Sequence, residues 1–567
     1  MSYTWNLPEK VDKKIIEKFP ELHPTVAQLL YNRGLETQAQ VDEFLHPDYG
    51  DDIHDPFLFK DMKKACERIY GAIEKKEKIV VYGDYDADGV CSSVILTSVL
   101  ESLGATVEAY LPHREKEGYG LNAKAIEEFS KNNTKLVITC DCGISNTEEV
   151  SLANDKNLDI IITDHHAVPE KPPKAVAIIH PQGPGEEYPF KFLAGGGVAF
   201  KLAQGLIKYN SNKKSDKEKE LQEKWLLDMV AISTVADMVP LLGENRTLLI
   251  YGLIVLQKTQ RVGLQKLLDV ANVDKTKIDA RNIGFTIGPR INAAGRMDHA
   301  NLAYYLLKET DPEEATKQAA ELNQSNVDRQ KLTETIVRQA KAQEINLADS
   351  LFVFYQADWS AGLTGLVAGR LVRTYARPAF VLTDVGDHIV GSGRSIKGFN
   401  ITEGLKSIED ILERYGGHPQ AAGFTIKKEN LDEFRKRIIK YANDNLKDQE
   451  FENSIDIELV VDFTEINWEM ADLVEKFKPF GHSNEEPTFL SKDVIVTDAR
   501  KVGNDGKHLK LELVKENKKL GAIAFGFGKQ EVEIGNHLDL VYNVNINQWN
   551  GNREIQLIIR DIKQHES

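Results

Sequence analysis

The sequence predicts an α/β protein in which a parallel-sheet domain is joined by a long helix to a smaller α/β domain and followed by an OB-type β-barrel. From 78 to about 240, short apolar runs with strand character alternate with helical stretches, the pattern of a parallel sheet. From 312 to 345 no Gly or Pro follows Pro312, which leaves room for one long helix between two lobes. After Ile455 the pattern changes to short alternating strands, as in a small barrel.

Residues 1–70 read as a helical N-terminal segment, with Val26-Ala27-Gln28-Leu29-Leu30 at helical spacing. The first α/β domain, 71–311, has expected strands near 78–83, 105–111, 135–141, 158–164 and 175–180. Within it the charged run 210–224 has no large apolar residue before Leu221, so it is expected to be an exposed loop or helix face. The second α/β domain, 346–450, has a helix beginning near Gly362, strands at 379–382 and 388–390, and polar turns at Gly391-Ser392-Gly393-Arg394-Ser395 and Gly416-Gly417-His418. The last domain, 451–567, has five short strands near 494–496, 509–513, 521–525, 538–542 and 555–559, after one helix. Trp549, in the turn Gln548-Trp549-Asn550-Gly551-Asn552, either stacks a base or plugs the barrel.

The chemistry concentrates where apolar elements end. Ile79-Val80-Val81-Tyr82-Gly83 runs into Asp84-Tyr85-Asp86-Ala87-Asp88, with Gly89 opening a helical run. Carboxylates at alternate positions of an extended segment point the same way, so they repel unless a cation neutralises them or their pKa values rise. The alternative is a solvated acidic turn. Later segments repeat the pattern: 136–140 ends in Asp141, 160–163 ends in Asp164-His165-His166, and a helical stretch at 226–235 ends in Asp237. Carboxylates with neutral imidazole and no thiolate suit Mn²⁺ or Mg²⁺. Six or seven such groups exceed the needs of one ion, and a pair of ions favours phosphoryl chemistry.

A chain of 567 residues is too long for one core, and two to four domains are expected. Hydrophobic content of 41%, no apolar run near the length of a membrane span, and no basic-then-apolar pattern at the N-terminus together predict a cytoplasmic protein that contacts no membrane. Four cysteines make neither a disulfide framework nor a paired zinc site, and strand alternation would turn Cys140 and Cys142 away from Asp141 as buried structural thiols. The net charge of −16 argues against a protein that coats many phosphates, but local clusters set the field a nucleic acid meets.

Asp84-Tyr85-Asp86-Ala87-Asp88-Gly89, Cys140-Asp141-Cys142-Gly143, Asp164-His165-His166, Val235-Ala236-Asp237-Met238-Val239-Pro240-Leu241, Gly288-Pro289-Arg290-Ile291-Asn292-Ala293-Ala294-Gly295-Arg296 and Gly416-Gly417-His418-Pro419-Gln420-Ala421-Ala422-Gly423 occur in this order. Together they resemble the DHH/DHHA1 phosphoesterase family, and within it the exonucleases specific for single-stranded DNA. The family pattern usually has a His where this chain has Ser360, so the role of that His does not carry over.

The resemblance implies a DHH catalytic domain, a DHHA1 substrate-binding domain, and 5′ to 3′ hydrolysis of single-stranded DNA to 5′ mononucleotides in DNA repair and recombination, with two Mn²⁺ or Mg²⁺ ions. It implies metal ligation by Asp86, Asp88, Asp141, His165 and Asp237, with Asp84 as a further ligand and Asp141 as the bridge. His166 would contact phosphate. Arg114, Arg290, Asn292, Arg296, Ser392, Arg394 and His418 would hold the strand, including its 5′-phosphate. It also implies a monomer, with a single-strand-binding protein and a RecQ-type helicase as candidate partners. The other readings are a DHH phosphoesterase acting on RNA or small oligonucleotides and a non-catalytic Cdc45-like scaffold.

Overall fold

The computed structural model describes residues 3–7, 13–209, 215–447, 454–549 and 552–566. These fall into two compact units. One comprises His54–Asp237 and Tyr251–Asn453; the other comprises Met1–Ile53, Met238–Ile250 and Ser454–Ser567.

The larger unit opens with a parallel sheet in the spatial order Thr106–Tyr110, Lys78–Gly83, Thr134–Cys140, Asp159–Thr163, Ala177–Ile179. The three central strands are Ile- and Val-rich on both faces and buried, as expected of a sheet covered by helices on each side. Because the second strand lies on one side of the first and all later strands on the other, the order reverses between Lys78–Gly83 and Thr134–Cys140. A crevice opens at the carboxyl ends of strands flanking such a reversal.

Helix Pro312–Lys341 has Pro at its first turn, and its N-cap Asp311 accepts from the N–H groups of Glu313 and Glu314 at 3.0 and 2.8 Å. It leads to a mixed sheet in the order Arg414–His418, Ala421–Lys427, His388–Arg394, Ala379–Val385, Phe352–Tyr355. Two expected turns are strands here. Gly391, Ser392, Gly393 and Arg394 pair on both sides, with Ala421–Phe424 and with 379–382. A Cβ at Gly391 would collide with the Phe424 ring and one at Gly393 with the Phe380 ring, so these glycines seat aromatic rings in the core rather than bend the chain. Likewise Gly416 and Gly417 lie within strand Arg414–His418, and the chain reverses at Pro419-Gln420.

In the smaller unit, strands Phe489–Val502, His508–Lys515, Lys518–Ala524, Asn552–Gln564 and His537–Trp549 form a barrel closed by pairing of the first with the last. Helix Trp468–Glu475 precedes it. The N-terminal helical segment divides: residues up to Ile53 belong to this unit, while Met62–Glu74 belongs to the larger one. The reason is apolar burial, since Phe19, Val26, Leu29, Leu30, Val41 and Phe44 share one core with the barrel residues. Strand Thr4–Asn6 also pairs with Ser454–Asp456, and Arg33 bonds Glu458 at 2.6 Å. The charged run is helical over Asp216–Lys224 with a Ser215 capping box, and residues 210–214 lie outside the described residues. So do Asn550-Gly551 and the Trp549 side chain, on which the base-stacking expectation fell.

Candidate active site

Five chain segments converge at the carboxyl ends of the parallel strands. The strand Lys78–Gly83 stops before Asp84, and helix Ala87–Ser102 starts almost at once with Asp86 as its N-cap. The three acids therefore do not alternate along an extended segment, as the sequence suggested; the chain turns between them. Asp86 Oδ1 accepts from the N–H groups of Asp88 and Gly89 at 2.9 and 3.1 Å. A Cβ at Gly89 would stand 2.5 Å from Asp84 backbone atoms, so this tight turn requires glycine there.

Asp88 is buried and points at the N-terminus of helix Gly195–Tyr209. It accepts from Gly195 N–H at 2.8 Å, Gly196 N–H at 2.7 Å and the Ser233 hydroxyl at 2.5 Å, an arrangement that suits an anion. Asp141 follows strand Thr134–Cys140 with φ +62°, a left-handed conformation rare outside glycine. Strand alternation thus does not govern this position. Cys140 and Cys142 are nonetheless buried, with Cys140 Sγ 3.4 Å from the Ser93 hydroxyl and Cys142 Sγ against the Tyr82 carbonyl. Asp237 caps the end of helix Leu227–Ala236.

His165 ties these segments together. Its Nε2 lies 3.2 Å from Asp141 Oδ1, 3.5 Å from Asp237 Oδ2 and 3.8 Å from Asp88 Oδ2. Three overlapping groups can each hold a metal ion: Asp141, His165 and His166; Asp88, His165 and Asp237; and Asp84, Asp86 and Asp141. Within each group the ligand atoms lie within 4.8 Å of one another.

Burial, together with the charges of neighbouring acids, raises the pKa values of Asp84, Asp86, Asp141 and Asp237. Asp84 Oδ1 is buried and, among the described residues, has no hydrogen-bond partner. Burial and the neighbouring His166 lower His165 to about 4, leaving a neutral imidazole. Mutually repelling carboxylates, an orphaned oxygen and a neutral imidazole fit Mn²⁺ or Mg²⁺.

The sequence reading gave no role to Asp164, Tyr119, Ser233 or the Gly195-Gly196 amides. Asp164 is wholly buried and accepts from the N–H groups of Ile144, His165 and His166 and from His166 Nδ1, the last at 2.8 Å. Burial alone would raise its pKa, but the His166 hydrogen bond and charge hold it down to about 2. Burial opposes a charged His166, yet the Asp164 hydrogen bond and charge lift it to about 9. His166 is therefore a cation beside the carboxylates. The Tyr119 hydroxyl lies 2.9 Å from His166 Nδ1 and donates to the Asp141 carbonyl at 3.2 Å. The adjacency of Asp164 to two histidines was a usable signal; the donors to Asp88 lie more than 100 residues away in sequence and left none.

Arginines adjoin the acids. Arg114 stacks 4.8 Å over the Tyr85 ring. Arg296 donates to the Gly362 carbonyl at 3.2 Å, and a Cβ at Gly365 would stand 3.0 Å from Arg394 Nη2. Burial lowers the Arg296 pKa to about 9, with Arg114, Arg329 and Arg394 adding repulsion against the attraction of Asp86. Ser392 accepts from the Thr364 hydroxyl at 3.0 Å. Asn292 and Arg290 have partners inside the protein: Asn292 Oδ1 accepts from Ala87 N–H at 2.9 Å, bracing the acidic turn, and Arg290 donates to Asn323 and to the Thr286 carbonyl. His418 is exposed at a strand end, and among the described residues no hydrogen bond or ion pair ties its side chain to the acids.

A doubly wound sheet with acids and histidines at its switch point, followed by a second α/β lobe, defines the DHH class. Family models match accordingly: the DHH family N-terminal domain over 78–234, the DHHA1 domain over 348–444 and the RecJ OB domain over 456–561. The chain is 38% identical to the single-stranded-DNA-specific exonuclease RecJ of Bacillus subtilis over 98% of this chain and 70% of that protein. It is 32% identical to RecJ of Escherichia coli over 96% of each. The crystal structure of RecJ from Thermus thermophilus in complex with Mn²⁺ superposes with a TM-score of 0.84 at 27% identity, covering 99% of this chain and 80% of that one. A Mg²⁺ complex of the same protein superposes with a TM-score of 0.77 at 26% identity, covering 99% and 79%. The chain belongs to the RecJ family.

Proposed function

We propose that this chain is a metal-dependent exonuclease that removes 5′ mononucleotides from single-stranded DNA. The observation that carries the reading is a pair of ligand groups, Asp88 with His165 and Asp237, and Asp84 with Asp86 and Asp141, brought together by the 3.2 Å approach of His165 Nε2 to Asp141 Oδ1. These residues would hold two Mn²⁺ or Mg²⁺ ions, which supply Lewis-acid charge at the scissile phosphate and a water of lowered pKa. The Gly195 and Gly196 amides fix Asp88, and Asn292 fixes the turn that carries Asp86. His166, kept protonated by Asp164, offers a cation to a phosphate oxygen.

Hydrolysis adds water to the phosphorus following the terminal nucleotide. The P–O3′ bond breaks, the 3′ oxygen gains a proton, and the shortened strand keeps a new 5′-phosphate. Direction requires recognition of one chain end. Arg114, Arg296 and Arg394, with Ser392, would clamp the terminal phosphate through charged hydrogen bonds. The catalytic role falls to 71–311, substrate grip to 346–450 and strand tracking to the barrel in 451–567. The reading agrees with a cytoplasmic location, and among the described residues no helix is long and apolar enough to cross a membrane. The test is degradation of 3′-labelled single-stranded DNA and RNA with and without Mn²⁺. Stepwise loss of nucleotides from the 5′ end of DNA, only with metal, is expected; mononucleotides appearing first from the 3′ end would overturn it.

A further inference from the structure

His180 lies outside the ligand groups, yet it grips the turn that carries both site histidines. Strand Ala177–Ile179 pairs with Asp159–Thr163, and Asp164 N–H donates to the Ile179 carbonyl at 3.2 Å, so the two strands end side by side. His180 follows Ile179 and is wholly buried. Its Nε2 lies 2.8 Å from the His166 carbonyl oxygen, and its Nδ1 accepts from Gln182 N–H at 3.0 Å. A carbonyl oxygen only accepts, so Nε2 carries the proton, whereas Nδ1, accepting from Gln182, carries none. His180 is therefore the neutral Nε2–H tautomer, with neither nitrogen left over for a metal ion.

The turn that His180 grips supports a demanding geometry. Asp164 accepts from the His165 and His166 N–H groups at 2.7 and 3.1 Å, and the His166 carbonyl is left to His180. His165 Nε2, hung on this turn, meets oxygens of Asp141, Asp237 and Asp88 at 3.2, 3.5 and 3.8 Å. Those acids sit on three separate segments, so a tilt of the turn changes all three distances at once. The chain after His180 also returns to the site. Gly183 N–H donates to the His180 carbonyl at 2.9 Å, the Gln182 side-chain amide donates to the Lys191 carbonyl at 3.0 Å, and the Tyr188 ring stacks on Phe59 with centroids 3.9 Å apart. At its far end the Gly195 and Gly196 N–H groups hold Asp88. One stretch, 180–196, therefore fixes the histidine turn at one end and an acid of the same ligand group at the other.

We propose that His180 is a positioning residue of the metal site: its Nε2–H, bonded to the His166 carbonyl, sets where His165 presents its imidazole beside Asp88 and Asp237. The inference rests on the metal reading given above. A buried histidine that only filled space would lose little on replacement by an apolar side chain of similar size. A positioning histidine needs its donor. Glutamine offers an amide N–H at about the reach of Nε2 and keeps the bond, whereas leucine and methionine offer none.

The test uses the full chain stripped of metal, as wild type, His180→Leu, His180→Met and His180→Gln, each checked for folding by circular dichroism. Mn²⁺ is titrated calorimetrically without DNA, and kcat and KM on 3′-labelled single-stranded DNA are then measured across Mn²⁺ concentrations. The apolar variants should bind Mn²⁺ at least roughly tenfold more weakly and need as much more Mn²⁺ for half-maximal turnover, with KM for the strand at saturating Mn²⁺ within about twofold of wild type. His180→Gln should stay within about threefold of wild type in Mn²⁺ affinity. A folded apolar variant whose loss falls short of tenfold overturns the inference. So does a folded His180→Gln that loses more than threefold, and this outcome decides the matter if neither apolar variant folds. In both cases the metal reading stands, because wild type still binds Mn²⁺. A wild-type chain that binds no Mn²⁺ removes the metal reading itself.

Discussion

The two units bury charge in opposite ways. In the unit that contains the barrel, Arg246 is almost fully buried and, among the described residues, has no carboxylate partner, yet each of its three nitrogens donates to a carbonyl, of Phe44, Phe477 or Lys476, at 3.0–3.1 Å, and its guanidinium sits 4.0 Å from the Phe44 ring centre. Burial, with a smaller push from Arg33, lowers its pKa only to about 10, so it stays a cation. In the larger unit, Asp84, Asp86, Asp141 and Asp237 repel one another, and one Asp84 oxygen has, among the described residues, no partner. The first arrangement is complete with protein atoms alone. The second becomes complete only with a ligand, and this separates a structural charge from a functional one.

Breaking the completed side should give the largest effect. Arg246→Ala takes a donor from each of the Phe44, Lys476 and Phe477 carbonyls, the last of which keeps Asn484 Nδ2, and empties the volume of a buried side chain; it is expected to cost about 3–5 kcal/mol, read as an early unfolding transition by chemical denaturation. A loss within experimental error would show that the cradle is incidental.

On the incomplete side, Asp141→Ala should reduce turnover by at least roughly a hundredfold while single-strand binding, measured by fluorescence anisotropy, holds within about threefold. Retention of a tenth of wild-type turnover at saturating Mn²⁺ would remove Asp141 as the shared ligand. Asp164→Asn tests whether the protonated state of His166 matters. Turnover should fall roughly 10- to 100-fold with little change in KM, as for residues that orient ligands through a hydrogen bond. Smaller still, Arg394→Ala should shrink the preference for a 5′-phosphate over a 5′-hydroxyl, a charged hydrogen bond being worth on the order of 1.5–3 kcal/mol.

The smallest effect belongs to the barrel. Phe525 is 56% exposed and its ring lies 5.3 Å from that of His508. Phe525→Ala should raise KM for long strands about fivefold, roughly 1 kcal/mol of stacking, and leave short oligonucleotides unchanged. A point change is preferable to truncation because the barrel shares its core with Phe19, Leu29 and Phe44.

Much of this was legible in the sequence. The five parallel strands fall within two residues of their expected positions, since buried parallel strands read as continuous apolar runs. The acids and histidines were legible because each closes such a run. What the sequence hid depends on distant partners: the Asp88 donors at Gly195, Gly196 and Ser233, the brace from Asn292, and the apolar residues that bring 1–53 into the barrel core. Local composition also misled. Gly391-Ser392-Gly393 has the residues of a turn, but its glycines serve ring packing in the middle of a sheet.

The central claim, that the carboxylate cluster is incomplete without divalent ions, is tested most directly by thermal melting of the metal-stripped chain as Mn²⁺ is added, in wild type and Asp141→Asn. Ions that bind only the folded state must stabilise it by an amount that grows with the logarithm of their concentration once it exceeds Kd. Wild type should gain several degrees, whereas Asp141→Asn should melt no lower than wild type without metal, because one repelling charge is gone, and should gain little from Mn²⁺. A wild-type melting point that Mn²⁺ does not move, or an Asp141→Asn protein that melts lower without metal and keeps the full Mn²⁺ gain, would contradict the account.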